Sequence, residues 1–194
     1  MAASPMCGKL EKIGFFHFTH GYSDPVSALA KAIGKEQENR NDIGNSLIVL
    51  PEAFNYGSYK SDAGLLPAQE ILERLRCDLA GSLRINFVVG ILEPYRGRLG
   101  RVGRRNSAYW VDASGSRLMC NKVGDDQTKL YDPCTRNPDR CNPVACDNAR
   151  ACALICMDAT EARVIKLSAF RPDLPPPGPI QQTFARSFPT FGMS

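Results

Sequence analysis

The sequence predicts an α/β fold, because strand-like and helix-like segments alternate along its N-terminal half. Three short apolar runs, IGFFHF, SLIVL and NFVVGIL, have the composition of buried strands. A helix-start signal follows the first run, and apolar residues at helical spacing follow the second. Hydrophobic residues make up 43% and charged residues 23% of the 194 residues, which is typical of one globular domain and argues against wholesale disorder.

The first strand and the helix after it are predicted from adjacent signals. Residues 13–18, IGFFHF, are predicted as the strand. Asp24 followed by Pro25 is the pattern of a helix N-cap and a first helical residue. A helix is therefore predicted through VSALAKAIGKEQENR. The second strand is predicted at residues 46–50, SLIVL, and Pro51 ends it.

The next segment continues the same alternation and then changes to a hairpin. A second helix is predicted from about Pro67, and its apolar face contains Leu72, Leu75 and Leu79. Residues 86–92 are predicted as the third strand and residues 107–111 as the fourth. Asp112-Ala-Ser-Gly115 has the composition of a turn, and residues 117–121 return from it. The fourth strand and its successor are therefore predicted to form a hairpin.

The net charge of +4 is concentrated in one stretch, RGRLGRVGRR. Its five arginines outweigh the whole net charge: Arg96, Arg98, Arg101, Arg104 and Arg105. Nucleic-acid binding favours basic residues spread over a face and accompanied by aromatic residues. We therefore predict a solvated loop between two strands here, and no nucleic-acid partner.

The chain has no predicted membrane or export segment. No run approaches the ~18 consecutive apolar residues of a membrane helix. The N-terminal sequence MAASPMCGKLEKIGFF lacks a long apolar stretch before a small-residue cleavage site. The expected location is cytoplasmic, without a membrane partner.

Six of the eight cysteines fall between positions 120 and 156. No C-x-x-C pair occurs among them, and His17 and His20 are distant in sequence. Structural zinc sites usually show such close pairs, and cytosolic thiols usually stay reduced. We predict free, packed cysteines and no metal, and keep a cysteine-rich metal-binding protein as one alternative.

The C-terminal half is predicted to be less regular. Residues 123–150 are polar and contain three prolines, so a long loop is predicted there. Residues 151–155, ACALI, are predicted as a strand, and a helix is predicted near Ala159. From Pro172 the chain is Pro-rich, and residues 172–194 are predicted to be an extended or disordered tail.

Three residues at predicted strand ends could share one reaction. Glu52 follows a buried strand, Lys122 follows the hairpin, and Cys156 follows the ACALI run. Each is ordinary alone, as a surface carboxylate, a surface lysine and a core cysteine. Together they supply a base, a cation for developing negative charge and a thiol nucleophile.

These residues lie in motifs that resemble the nitrilase, or carbon–nitrogen hydrolase, superfamily. LIVLPEAFNYG resembles the family's base motif, with Glu52 as the base. Asn106-Ser107-Ala108 resembles the Asn-Ser/Thr-Ala before the family's lysine hairpin, and Lys122 occupies the lysine position. ALICMD resembles the nucleophile motif Cys-x-Asp, with Cys156 and Asp158. The four matches occur in the family's order between about residues 10 and 165.

The resemblance implies a reaction on a small-molecule amide, nitrile or N-carbamoyl substrate. Cys156 would form a thioester. Glu52 would take the thiol proton, transfer it to the leaving amine and then activate water. Lys122 and the backbone N–H of Met157 would hold the oxyanion. No metal or organic cofactor is implied. Related hydrolases are commonly homo-oligomers, so a homo-oligomer is expected.

The resemblance also implies a four-layer α-β-β-α sandwich, here with its carbon–nitrogen hydrolase domain at residues 10–168. Only 38 residues follow Cys156, and they become Pro-rich, so we expect a sandwich that is incomplete at the C-terminus. No Glu lies between Lys122 and Cys156, where the family usually has a second one. A catalytically inactive truncated relative, or a binding subunit of the same fold, is therefore the alternative function.

Overall fold

The computed structural model describes residues 8–16, 24–40, 43–56, 66–96, 102–122, 142–147, 149–151 and 153. These residues contain one five-stranded sheet, one two-stranded sheet and helices. The elements are β1 (Lys12–Phe15), α1 (Pro25–Arg40), β2 (Ser46–Val49), α2 (Ala68–Arg74), α3 (Gly81–Leu83), β3 (Asn86–Arg96), β4 (Val102–Asp112), β5 (Gly115–Asn121), β6 (Val144–Cys146) and β7 (Ala149–Ala151).

The five-stranded sheet has the order β1-β2-β3-β4-β5 and is mixed. Strands β1, β2 and β3 run parallel, because α1 and then α2 and α3 carry the chain back between them. Strands β3, β4 and β5 form an antiparallel meander. The predicted α/β fold and the predicted hairpin are both confirmed.

The core lies on both faces of this sheet. One face packs against the helices, through side chains such as Leu29, Leu75 and Phe87. The opposite face packs against the β6–β7 hairpin, through side chains such as Trp110, Met119 and Val144. The layers are therefore helices, a first sheet and a second sheet, which agrees with the first three layers of the predicted sandwich.

Helix α1 begins as its sequence predicts. Asp24 Oδ1 accepts hydrogen bonds from the backbone N–H groups of Val26 and Ser27, both at 3.1 Å. These are two of the amide groups that the first turn of a helix leaves without intrahelical partners. Arg74 Nη2 donates to Asp24 Oδ2 at 2.8 Å, so the cap also links α1 to α2. Hydrogen bonds from Arg74 and Ser27 hold the pKa of Asp24 well below its usual value.

The second helical segment is continuous but not uniformly α-helical. A π-helical stretch, Leu75–Ala80, joins α2 to α3. The predicted apolar face is confirmed, because Leu72, Leu75 and Leu79 are all buried in the helix-side core. Arg84 ends the segment in a left-handed conformation, with φ of 54°.

The prediction of a loop throughout the arginine stretch is wrong. Strands β3 and β4 extend further than their apolar centres, and Arg96 pairs with Val102. Arg104 and Arg105 lie within β4, and Arg105 Nη2 lies 3.3 Å from Glu93 Oε1 on β3. Opposite charges facing each other across two strands favour continued pairing. Residues 97–101, between the two strands, lie outside the described residues.

The prediction of a loop through residues 123–150 is also wrong in its last part. Residues 144–146 and 149–151 pair as an antiparallel hairpin. Val144 and Ala151 are buried against the first sheet, so burial of apolar surface supports strands too short to be recognised by pattern. The strand predicted at 151–155 includes Ala151, whereas Ala153 is not in a strand. The remainder of that strand, the helix near Ala159 and the Pro-rich tail lie outside the described residues.

In the part of the chain that the structure describes, no helix has both the length and the apolar character needed to cross a membrane.

Candidate active site

Two of the predicted site residues meet at the ends of different strands. Lys122 Nζ donates a hydrogen bond to Glu52 Oε1 at 2.8 Å, across 70 positions of sequence. The Lys122 side chain is fully buried, whereas the Glu52 side chain is 32% exposed. The pair therefore combines a cation that has been removed from water with a carboxylate that is partly exposed to solvent.

Asn106, on β4, contributes a third side chain to this group. Its Nδ2 donates to the same Glu52 oxygen, Oε1. Asn106 is 2% exposed, and its Oδ1 has no hydrogen-bond partner among the described residues. Within the same residues Glu52 Oε2 accepts no hydrogen bond, so these contacts hold only one of the two carboxylate oxygens.

Glu52 lies on a short segment, residues 51–53, that leaves the line of β2 beside β3. We call this segment the excursion. Leu50 N donates to Val88 O at 2.8 Å, and Phe54 N donates to Gly90 O, also at 2.8 Å. The three residues between these bonds bend outward, and Ala53 has a φ of 55°. This left-handed conformation is uncommon for a residue with a side chain. The backbone therefore places Glu52 above the sheet rather than in line with β2.

Gly90 allows the excursion to lie directly on β3. A Cβ atom added at Gly90 would be 2.9 Å from the Cα of Glu52 and 3.4 Å from the backbone nitrogen of Ala53. Those atoms belong to the backbone and cannot turn aside as a side chain would. A glycine is needed here because two chain segments make close contact.

Asn55 fixes the end of the excursion. Its side chain is fully buried, and its Oδ1 accepts from Leu92 N at 2.8 Å. Its Nδ2 donates to Leu92 O at 2.7 Å and to Leu66 O at 2.9 Å. The amide thus takes the place of a neighbouring backbone group along β3. Sequence reasoning missed Asn55, since nothing local distinguishes a buried asparagine from one in an exposed turn.

Lys122 is directed by an irregularity in β5. Ala108 pairs with Cys120, but Tyr109 pairs with Leu118, so Met119 is an extra residue in β5. This is a β-bulge, and it reverses the alternation of side chains beyond it. Met119 and Cys120 consequently both pack in the second-sheet-side core. Lys122 N then donates to Asn106 O at 2.8 Å. The Lys122 side chain therefore lies on the same face of the sheet as Glu52.

The predicted nucleophile Cys156 and the predicted oxyanion donor Met157 lie outside the described residues. The described chain nevertheless approaches the site just before them. Cys120 Sγ donates to the carbonyl oxygen of Ala153 at 3.0 Å. Ala153 therefore contacts β5 two positions before Lys122.

The described residues contain no group of three or more His, Cys, Asp or Glu side chains arranged to hold a metal ion. The cysteine-rich region is only partly covered by this finding, because Cys134, Cys141, Cys152 and Cys156 are not among these residues. Metal binding by that region therefore stays an alternative prediction from the sequence.

Comparison with known proteins links this geometry to one fold. No family model matches the sequence, and no curated protein matches it. Among solved structures, the chain is similar to XC1258 from Xanthomonas campestris, a CN-hydrolase superfamily protein with an arsenic adduct in its active site. The TM-score is 0.54 and the identity 16%, over 78% of this chain and 55% of that one.

The chain is also similar to an amidase from Nesterenkonia sp., with a TM-score of 0.55 and 19% identity over 81% of this chain and 59% of that chain. A variant of the Nesterenkonia sp. AN1 amidase carries the acetamide moiety of fluoroacetamide covalently added at its active-site cysteine. For that structure the TM-score is 0.54 and the identity 18%, over 81% and 60% of the two chains.

These likenesses show that the chain has the fold of the carbon–nitrogen hydrolase structures, as the sequence motifs predicted. The chain spans 55–60% of the length of these three neighbours. At such low identity the likeness extends to the fold alone, and the activity is inferred from the residues of this chain.

Proposed function

We propose that the protein is a thiol-dependent hydrolase of non-peptide carbon–nitrogen bonds in small amides, nitriles or N-carbamoyl compounds. The observation that carries the proposal is the contact between Lys122 Nζ and Glu52 Oε1 at 2.8 Å. A base and a cation from distant strands meet on a fold shared with carbon–nitrogen hydrolases. A buried ammonium adds no apolar surface to the core and costs free energy to remove from water, which makes a chemical role the better account of the pair.

In the proposed reaction Cys156 is the nucleophile. Its sulfur attacks the substrate carbon, and Glu52 accepts the thiol proton. For an amide, the carbon–nitrogen bond then breaks, and Glu52 returns the proton to the leaving amine. A water molecule, deprotonated by Glu52, attacks the thioester and releases the acid and the thiol. Lys122 and the backbone N–H of Met157 stabilise the negative oxygen in both steps.

The burial of Lys122 supports its part in this reaction. A fixed cation in a site with little water stabilises developing negative charge more strongly than a solvated one, since solvent neither screens it nor has to reorganise. Removing one such donor typically slows a reaction by ~10²–10³. The available Oε2 of Glu52 supports the base, because the Oε1 atom is already held by Lys122 and Asn106.

Chain connectivity supports the part of Cys156. Ala153 contacts Cys120 through its carbonyl oxygen, and Cys156 follows three residues later. Three residues span at most about 10 Å, at ~3.3–3.6 Å each. Since Cys120 is two residues from Lys122, a thiol at position 156 can reach the Glu52–Lys122 pair.

Alkylation combined with mutation tests the proposal. The intact protein is treated with fluoroacetamide or iodoacetamide, and the modified cysteines are identified by peptide mass spectrometry. We expect Cys156 to react faster than the other cysteines, because a neighbouring base raises its thiolate fraction. Cys156→Ala should abolish turnover of an amide panel, whereas Cys134→Ala should retain most of it. Full activity in Cys156→Ala would refute the proposal.

The alternative is a catalytically inactive binding subunit of the same fold. It is favoured by the absence of Glu between Lys122 and Cys156, where Asp125, Asp126 and Asp132 are the first carboxylates after the lysine. The same experiment separates the two functions. Slow alkylation of Cys156, together with no turnover of amides, nitriles or N-carbamoyl compounds, would favour the binding subunit.

We propose a homo-oligomer as the assembled form. Strand β1 lies at the edge of the described sheet, and its Phe15 side chain is exposed. An edge strand with an exposed aromatic residue is a typical association surface. Light scattering at micromolar concentration should show more than one chain per particle, and a strictly monomeric protein would contradict the proposal.

A further inference from the structure

A second polar cluster lies on the helix-facing side of the sheet, behind the Glu52–Lys122 pair. Its centre is Glu93 on β3, whose side chain is 15% exposed. Glu93 Oε1 accepts hydrogen bonds from Ser107 Oγ at 2.7 Å and from Tyr109 Oη at 3.0 Å. It also lies 3.3 Å from Arg105 Nη2. All three partners are on β4, at alternate positions of the same face.

The cluster extends across to β5. Ser107 Oγ lies 2.8 Å from Asn121 Oδ1, the amide atom that faces it. A serine hydroxyl has one proton but two acceptor sites. Both contacts are satisfied when Ser107 donates to Glu93 and the Asn121 amide is turned so that its NH₂ group donates to Ser107. Ser107 is fully buried, so a lost partner there would be costly.

The chemistry of Tyr109 agrees with a donor role in this cluster. Burial raises the pKa of its hydroxyl, and the neighbouring Glu93 carboxylate raises it further. The hydroxyl therefore keeps its proton at neutral pH and donates to Glu93. The cluster is held by fixed donors around one carboxylate.

The position of the cluster relates it to Lys122. Ser107 and Asn121 are the first pair beyond Ala108–Cys120, where the bulge ends. If β5 lost the bulge, every residue after Leu118 would shift by one position against β4. Lys122 would then face Arg105 and point to the helix side, away from Glu52. The contact between Ser107 and Asn121 is made only in the bulged register.

We propose that Glu93, Ser107 and Asn121 form a register clamp that keeps the end of β5 in its bulged pairing and thereby holds Lys122 at Glu52. These are positioning residues, since they act through Lys122 from the opposite face of the sheet. The consequence for turnover rests on the proposed function. The consequence for the burial of Lys122 does not.

The exposure of the Lys122 amine tests the clamp without reference to activity. The intact protein is acetylated with an amine-reactive ester at a temperature far below its unfolding transition, and the Lys122 peptide is quantified by mass spectrometry. Ser107→Ala removes the central hydroxyl, and we expect it to raise the labelling rate of Lys122 roughly tenfold by favouring local opening. Ser107→Thr keeps the hydroxyl and should restore protection.

Controls make either outcome decisive. Ser116→Ala changes an exposed serine on the same β-hairpin and should leave the labelling rate unchanged. If Ser107→Ala does not fold, Asn121→Ala breaks the same contact from the other strand and is measured instead. Equal labelling of Lys122 in the clamp variant and in Ser116→Ala would overturn the clamp.

Kinetics then separate the clamp from the proposed function. In an active enzyme, Ser107→Ala should lower kcat while leaving KM nearly unchanged, because Lys122 acts on the oxyanion that forms during the reaction. If the wild-type chain hydrolyses no substrate, the proposed function fails, but the labelling experiment still decides on the clamp.

Discussion

The two halves of the candidate site are held in different ways. Glu52 lies on an excursion that leaves the sheet, and its position depends on a close backbone contact at Gly90 and on the buried amide of Asn55. Lys122 directly follows β5, the bulged strand of a hairpin, and its position depends on which register that strand adopts. The comparison shows that one side chain is fixed by tertiary contact and the other by strand pairing.

The two side chains also differ in their exposure to solvent. The Lys122 side chain is fully buried, whereas the Glu52 side chain is one-third exposed. The segment that carries Glu52 meets water on one side, while the end of β5 places the Lys122 side chain in the interior. The two members of one ion pair should therefore differ in what their removal costs.

The largest loss of stability is expected from Asn55→Ala, which removes the side chain that fixes the segment carrying Glu52. Asn55→Ala leaves the buried backbone N–H and C=O of Leu92 without the contacts that the amide supplies. Each such loss typically costs ~1–3 kcal/mol, so the free energy of unfolding should fall by about 3–4 kcal/mol. Urea denaturation measures this. Asn142→Ala, at an exposed asparagine, is the matched control and should cost under about 1 kcal/mol; equal costs would contradict the assignment.

An intermediate effect is expected from removing the carboxylate of the ion pair, and a smaller one from removing its amine. Glu52→Gln takes the carboxylate away from a fully buried ammonium and should lower the free energy of unfolding by about 2–3 kcal/mol. Lys122→Met leaves a carboxylate that water can solvate, and its methionine fills the buried volume, so we expect a cost of under about 1 kcal/mol. Thermal or urea unfolding of the two variants compares them. A larger cost for Lys122→Met would reverse this interpretation.

The effect of Gly90→Ala on stability is expected to fall between those of the two ion-pair variants. Gly90→Ala places a Cβ against the backbone of Glu52, which should cost about 1–2 kcal/mol and displace the excursion. Gly14→Ala is the control in β1, because its Cβ would meet only Ile48 Cγ1 at an ordinary 3.9 Å. If the proposed hydrolysis occurs, Gly90→Ala should reduce kcat more than Gly14→Ala does. Equal kcat values would show that Glu52 does not depend on this close approach.

Sequence reasoning predicted most of the first sheet and two members of the site. Asp24 and Pro25 predicted the start of α1, because helix capping is a local interaction. Glu52 and Lys122 were found from the motifs around them, and the structure brings them into contact. Local capping and motif order are properties that a single sequence displays directly.

The missed features depend on contacts between distant segments. The role of Gly90 exists only because the chain around Glu52 crosses it. The bulge left one weak signal, the consecutive apolar residues Met119 and Cys120 in a strand that should alternate. The arginine stretch was misinterpreted because composition favours a loop there, whereas the cross-strand contact between Glu93 and Arg105 supports pairing.

The mixed topology of the sheet has a consequence for how the protein folds. The contact between Ser107 and Asn121 joins residues 14 positions apart, while the contact between Glu52 and Lys122 joins residues 70 apart. Closing a short loop costs less entropy and takes less time than closing a long one. We therefore expect the antiparallel meander to form before the parallel strands dock, so that Lys122 acquires its orientation before Glu52 reaches it. Mutations in the meander should slow folding, whereas mutations around Glu52 should mainly accelerate unfolding.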